Sequence, residues 1–184
     1  MPGTRYEITR LEGRPCLLLT ARDSHFTWQK VTRTVPGAFT LRFDFLFTDA
    51  RPSPYNAAPG QYLYLDLWQD DGTATGMLHL TPEGVRAEFL PAGADRARQE
   101  PTAFEPEVRY ALNAWHTARV VRIPGGILAR IWPQDRAEPK EWTLTLFRPE
   151  LDVSHPAAVR FQYYAAGSRE RHLALANVVW SRQG

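Results

Sequence analysis

Lysine is almost missing from this 184-residue chain, and cysteine and methionine are nearly so. Lys occurs only at Lys30 and Lys140, so nearly all of the 22 basic residues are Arg. They are matched by 20 acidic residues for a net charge of +2, with no basic run anywhere. A phosphate backbone is tracked by a contiguous cationic face, so nucleic acid is not an expected partner. The single cysteine, Cys16, excludes an internal disulfide. Its setting, Arg14-Pro-Cys-Leu-Leu-Leu-Thr20, reads as a buried strand and not as a reactive thiol. No apolar run approaches the ~20 residues of a membrane helix, so no membrane insertion is expected. The opening Met1-Pro-Gly-Thr-Arg-Tyr6 also lacks the apolar stretch of an export signal. Three settings remain: the cytoplasm, a virion (a phage tail or decoration protein), or a fragment of an exported protein. The Arg-for-Lys bias reports a GC-rich genome. Scarce Met, Cys and Asn beside 15 prolines are compatible with a thermophile source.

Helical periodicity is absent as well. Short segments with β character recur instead, separated by Gly, Pro, Asp and Asn. The expected strands are Tyr6–Arg10, Cys16–Ala21, Phe39–Thr48, Gln61–Gln69, Thr75–Thr81, Val85–Leu90, Val108–Leu112, Thr117–Ile123, Ile127–Trp132, Trp142–Leu146, Val159–Tyr164 and Leu173–Ser181. About a dozen strands exceed one flat sheet, so two sheets face to face, or a closed barrel, must bury their apolar faces. Asp70-Asp-Gly-Thr73, Thr81-Pro-Glu-Gly84 and Pro124-Gly-Gly126 supply glycine for hairpin turns, which predicts local antiparallel pairing. Two long loops, Asp49–Pro59 and Pro91–Pro106, are left over. No repeat or linker divides the chain, and a single domain over 1–184 is expected, consistent with 43% hydrophobic residues.

The segment around Gly60-Gln-Tyr-Leu-Tyr-Leu-Asp-Leu-Trp68 carries most of the functional signal. Successive strand side chains point to opposite faces, so Leu63, Leu65 and Leu67 share one face while Tyr62, Tyr64, Asp66 and Trp68 share the other. His79, Arg86, Glu88, Gln162 and Tyr164 are candidates for the same face from other strands. Sugars present CH patches on one side of the ring and hydroxyls at the rim. Aromatic platforms beside Asp, Arg and Gln satisfy both. The bland alternative is that these aromatics pack under a loop or against another subunit.

Asn113-Ala-Trp-His-Thr-Ala-Arg-Val-Val-Arg-Ile-Pro-Gly-Gly-Ile-Leu-Ala-Arg-Ile-Trp-Pro-Gln-Asp-Arg-Ala-Glu-Pro-Lys-Glu-Trp-Thr-Leu144 resembles the concanavalin A-like lectin/glucanase superfamily. A Trp opens a strand, a Gly-rich hairpin follows, and the return strand reads hydrophobic-x-Trp-Pro, then Glu-Pro and Trp. Leu173-Ala-Leu-Ala-Asn-Val-Val-Trp180 resembles the closing strand, with Ala176 and Asn177 where an acidic pair is usual. The resemblance implies an all-β fold, a two-sheet antiparallel jelly-roll β-sandwich of laminin-G-like type, whose concave face is the usual glycan site. It also implies that Trp115, Trp132, Trp142 and Trp180 belong to the core or the sandwich edges. Some relatives hold a structural calcium near the last strand, and Ala176 and Asn177 argue against that site here.

The laminarinase-like branch carries Glu-x-Asp-x-x-Glu, whose carboxylates act as nucleophile and acid/base. This chain has Glu150-Leu-Asp152-Val-Ser-His155, which lacks the third acid and lies between Pro149 and Pro156, the setting of a loop. There is no Gly-x-Ser-x-Gly elbow, no phosphate-cradling glycine loop and no paired metal ligands; His25, His79, His116, His155 and His172 are scattered. Asp44, Asp66 and Glu88 are the acids that could project from the polar face. The expectation is a non-catalytic recognition or assembly module, without cofactor or metal. It would bind carbohydrate or a cell-surface polymer through stacking on Tyr64 and Trp68 and hydrogen bonds from Asp66 and Arg86. The alternative is a virion protein using that face for protein contact, and a glycoside hydrolase comes after it.

Overall fold

Phe39-Thr-Leu-Arg-Phe-Asp-Phe-Leu-Phe47 alternates apolar and other residues so regularly that it can serve only as a strand with one face in a core. In the computed structural model of the chain it is β4 (Phe39–Phe47), with Phe39, Leu41, Phe43, Phe45 and Phe47 all fully or almost fully buried. The structure describes residues 4–21, 33–35, 37–47, 61–69, 74–81, 84–91, 103–105, 110–151, 153, 157–165 and 171–182. The other strands, in chain order, are β1 (Thr4–Leu11), β2 (Arg14–Ala21), β3 (Arg33–Val35), β5 (Gln61–Gln69), β6 (Ala74–Thr81), β7 (Gly84–Pro91) and β8 (Ala103–Glu105). They continue with β9 (His116–Ile123), β10 (Gly126–Pro133), β11 (Leu144–Phe147), β12 (Ala157–Ala165) and β13 (Arg171–Arg182).

Seven strands form one sheet in the order β1-β2-β13-β4-β9-β10-β11, and six form the other in the order β3-β12-β5-β6-β7-β8. Every pairing is antiparallel. The chain changes sheet after β2, β3, β4, β8, β11 and β12. That wrapping of one sheet around the other is the jelly-roll sandwich the resemblance implies. The buried faces meet in a core spanning both sheets, where Phe43 meets Phe161 of β12 edge-on at 5.1 Å between ring centroids.

Two tight turns have clear causes. Between β1 and β2, Glu12 and Gly13 take φ of 53° and 78° and join the Leu11–Arg14 pair, the two positive φ values of a type I′ hairpin. Between β9 and β10, Pro124 presets its own φ and Gly125 takes +70°, so Ile123 pairs Gly126. The Asp70–Thr73 turn lies outside the described residues, as do most of the two long loops.

The strand expectations need three corrections. Val108–Leu112 is not a strand over its described part: Tyr110 turns inward against Phe45 and His116, and Asn113 takes φ of 58°. β3 and β8 are additional, three residues each, too short to show a period. β13 contains a bulge. Ala176 pairs Asp44 and Val179 pairs Arg42, so three steps on β13 oppose two on β4. Asn177, at φ of 50°, absorbs the extra residue. Inward parity therefore switches from Leu173 and Leu175 to Trp180, which packs against Phe39 at 5.5 Å.

Candidate ligand-binding face

β12, β5, β6 and β7 lie side by side, and their registers bring the sequence-predicted positions into rows. Gln162 is opposite Tyr64, Tyr64 opposite His79, and His79 opposite Arg86. The next row runs Arg160, Asp66, Met77 and Glu88. Tyr164 pairs Tyr62 on one side of these rows, and Trp68 lies on the other, between Ala158 and Thr75. All nine predicted positions thus fall on four adjacent strands. They are out of phase with the buried Leu63, Leu65, Leu78, Leu80, Val85 and Ala87, and so belong to the sheet face turned away from the core. The side chains of Tyr62, Tyr64, Asp66, Trp68, Gln162 and Tyr164 lie outside the described part of the chain.

The remaining three side chains are described, and none is fully exposed. His79 is 8% exposed, while Arg86 and Glu88 are half-buried. Burial, reinforced by the Arg86 guanidinium, pushes the His79 imidazole down to about 3. Burial pushes the Glu88 carboxyl up, and Arg86 pulls it partly back. His79 Nε2 stands 3.8 Å from Glu88 Oε2, beyond hydrogen-bond range. Because the ring stays neutral, that approach is a contact and not an ion pair. The fixed positive charge in this row is Arg86.

Asp44, offered with Asp66 and Glu88, belongs elsewhere. It sits on β4, in the other sheet, on the face away from the core. Thr117 Oγ1 donates to its Oδ1 at 2.7 Å, and Asn177 Nδ2 donates to its Oδ2 at 2.7 Å. Arg14 reaches the same Oδ2 at 3.4 Å while its guanidinium lies 4.5 Å from the Trp115 ring centre. One buried carboxylate therefore ties β2, β4, β9 and the β13 bulge together. Asp44→Ala is expected to cost about 3 kcal/mol of unfolding free energy in urea denaturation, and Asp44→Asn clearly less. Equal losses in the two variants would show that shape and the bonds an amide can keep contribute nothing, the whole effect lying in the charge.

The same sheet answers for the other candidates. Asn177 is committed to Asp44, and among the described residues no group of three or more His, Cys, Asp or Glu is placed to hold a metal ion. Glu150 lies exposed in the turn where Leu151 N–H donates to Arg148 O, and Asp152 is outside the described residues. Trp115 and Trp132 are buried, Trp180 packs on the core, and Trp142 is covered by Arg130 at 4.1 Å. Residues 134–143 cross the outer face of this sheet, held by Glu138, which accepts from both Arg119 and Arg130 at 3.0 Å. Sequence reasoning missed a groove of about 590 Å³ at its end, lined by Arg14, Trp115, His116, Gln134, Asp135 and Arg136 among others. Its aromatic face is already capped by Arg14, which removes it as a stacking platform. No helix among the described residues is long and apolar enough to cross a membrane.

No family model matches the chain, and no curated protein matches it in sequence. Solved structures do match in shape. A carbohydrate recognition domain of Emp46p aligns over 96% of this chain and 88% of its own at a TM-score of 0.57, with 14% identity. The catalytic domain of a glycoside hydrolase family 131 protein from Coprinopsis cinerea aligns over 92% and 70% at 0.54, with 9% identity. A sialidase aligns over 97% of this chain at 0.60, with 16% identity, but the chain spans only 17% of that protein. At these identities the matches establish the fold, and they include both binding and hydrolytic proteins.

Proposed function

We propose, from the premise that this chain is a concanavalin A-like jelly-roll β-sandwich, that it is a carbohydrate-recognition module working through the outer face of its six-stranded sheet. The observation that carries the reading is the register. Tyr64 and Gln162 stand in one row with His79 and Arg86, and Asp66 stands in the next row with Arg160 and Glu88. Aromatic and hydrogen-bonding positions then alternate over one continuous patch, the mixture that a sugar ring and its hydroxyls require. Tyr64 and Trp68 are four residues apart on β5, roughly 13 Å along the strand. Two platforms at that spacing address an oligosaccharide better than a single ring. The Emp46p domain, named for carbohydrate recognition, supports the choice of ligand class by fold analogy.

The test is a glycan array and polysaccharide pull-down of the purified chain, run beside Trp68→Ala. The expected result is retention on at least one polysaccharide, tighter binding of longer oligosaccharides, and a loss of about tenfold or more in the variant. Unchanged binding in the variant would move the site off this face. No binding by folded wild type would favour a protein–protein assembly role, the virion reading included. Release of reducing sugar from a retained polysaccharide would move the reading to hydrolysis.

A further inference from the structure

The groove at the end of the larger sheet brings hydrogen-bond donors and acceptors of both charges together, away from the face proposed for carbohydrate. It lies between the β1–β2 turn, the segment leading into β9 and the turn after β10, and its volume of about 590 Å³ suits a small organic molecule. Trp115 supplies a donor. It is 8% exposed and clusters with Cys16, Leu46, Ala174 and Ala176, and its indole Nε1 is buried with no hydrogen-bond partner among the described residues. Leaving such an N–H without an acceptor costs about 1 to 3 kcal/mol, so this part of the groove calls for one. Arg14 lies over the same ring, and its hold on Asp44 is loose: it reaches Oδ2 at 3.4 Å, where Asn177 already donates at 2.7 Å. A second carboxylate can therefore draw Arg14 to itself while Asp44 keeps its two short bonds.

The neighbouring side chain has the opposite character. His116 Nδ1–H donates to Ala114 O at 3.0 Å, because a carbonyl can only accept, and this puts the ring's lone pair on Nε2. Burial lowers the proton affinity of the imidazole and outweighs the Ala114 carbonyl and Asp135, which both raise it, so the ring is held neutral. The formal charges of the lining are Arg14 and Arg136 against Glu12 and Asp135, which cancel. A simple anion or cation gains little from such a lining. A molecule carrying both charges can match both.

We propose that this groove is a second binding site, for a small ammonium–carboxylate zwitterion, whether a free amino acid or a short peptide. The carboxylate accepts from Trp115 Nε1 and from Arg14, which turns off the indole ring to meet it. The ammonium donates to His116 Nε2 and pairs with Asp135. The site stands on the larger sheet, so it neither needs nor blocks the proposed carbohydrate face of the six-stranded sheet.

Titration of the whole isotope-labelled chain, followed through its tryptophan indole N–H resonances, tests this. The Trp115 resonance is identified by its loss in Trp115→Phe. The probes are leucine, leucyl-glycine and leucyl-glycyl-glycine, each beside its forms acetylated at the amine or amidated at the carboxylate. At millimolar concentrations at least one unmodified probe is expected to move the Trp115 signal downfield and to slow its exchange with solvent. The length that binds tightest tells a free amino acid from a peptide. Blocking either end, or removing the indole N–H in Trp115→Phe, is expected to weaken binding about tenfold or more. Asp135 is exposed, so Asp135→Asn keeps the fold; it is expected to weaken the unmodified probe about threefold and to leave the acetylated form unchanged, since that form has no ammonium. Unchanged thermal unfolding checks that each variant folds, and Asp135→Asn carries the test should Trp115→Phe fail. A Trp115 signal that no probe moves, blocked forms that bind as tightly as their parents, or an Asp135→Asn effect equal on both forms would each overturn the proposal.

Discussion

Lowering the pH from 7 to 4 is expected to destabilise the wild-type chain by several kcal/mol relative to His79→Gln. The cause is linkage. His79 is held neutral in the fold, down to about 3, whereas the unfolded chain protonates it near 6.5. Between those two values the unfolded state binds the extra proton, so the stabilising contribution is present above about 6.5 and lost as pH falls. Each pH unit in the window is worth about 1.4 kcal/mol at most. Glu88 works in the opposite sense. Burial raises its folded value, so its protonated form is favoured in the fold and its contribution is lost as pH rises above the ordinary carboxylate range. The two therefore act in opposite directions in the wild type, and removing the imidazole is expected to lessen the loss of stability on the acid side of neutrality. Urea midpoints at one-unit pH steps give the difference directly. Parallel curves for wild type and variant would show that His79 is not buried as the fold has it. For the proposed ligand, the consequence is that Arg86, and not a histidine cation, supplies positive charge to this face at neutral pH.

Phe43→Ala is expected to remove about 4 kcal/mol of stability, a large share of the 5 to 15 kcal/mol typical of a domain. Phe43 is fully buried and sits where the sheets meet, edge-on to Phe161 and 6.1 Å from Phe45. Truncation loses the transfer energy of a whole ring and leaves a hole that two rigid sheets cannot close. At this chain length the loss corresponds to a fall in Tm of roughly 10 °C. Phe43→Leu keeps most of the volume and is expected to cost under about 1.5 kcal/mol. A loss below 1 kcal/mol in the alanine variant would mean that β4 and β12 do not meet through this ring.

The strands were legible where one face of the sheet is in the core. Leu63 and Leu65, or Phe43 and Phe45, announce the period without help from the rest of the chain, and Pro124-Gly125 marks its turn by backbone preference alone. β3 and β8 were not legible, because three residues at a sheet margin complete no pattern. Val108–Leu112 alternates like a strand, yet Tyr110 is used as a plug against Phe45 and His116, a tertiary demand with no local trace. Asp44 shows the limit for sites. Alternation put it on the face opposite Phe43, but in a chain that changes sheet six times it does not say which sheet. The rows that bring Gln162 beside Tyr64 are equally non-local, with the two residues separated by nearly a hundred positions.

β13, the last of the described strands in sequence order, is not at the margin of its sheet but between β2 and β4. Until it is in place, the larger sheet is two unjoined pieces, β1-β2 and β4-β9-β10-β11. A chain leaving the ribosome from its first residue onward therefore presents two open strand edges beside Leu19 and Phe45 until β13 has been made. Closure is a single late event, spanning the 149 residues between Ala21 of β2 and Arg171 of β13. Such non-local pairing folds slowly and leaves sticky edges exposed meanwhile. The order in which the polypeptide is made thus runs against the order in which its sheet is assembled.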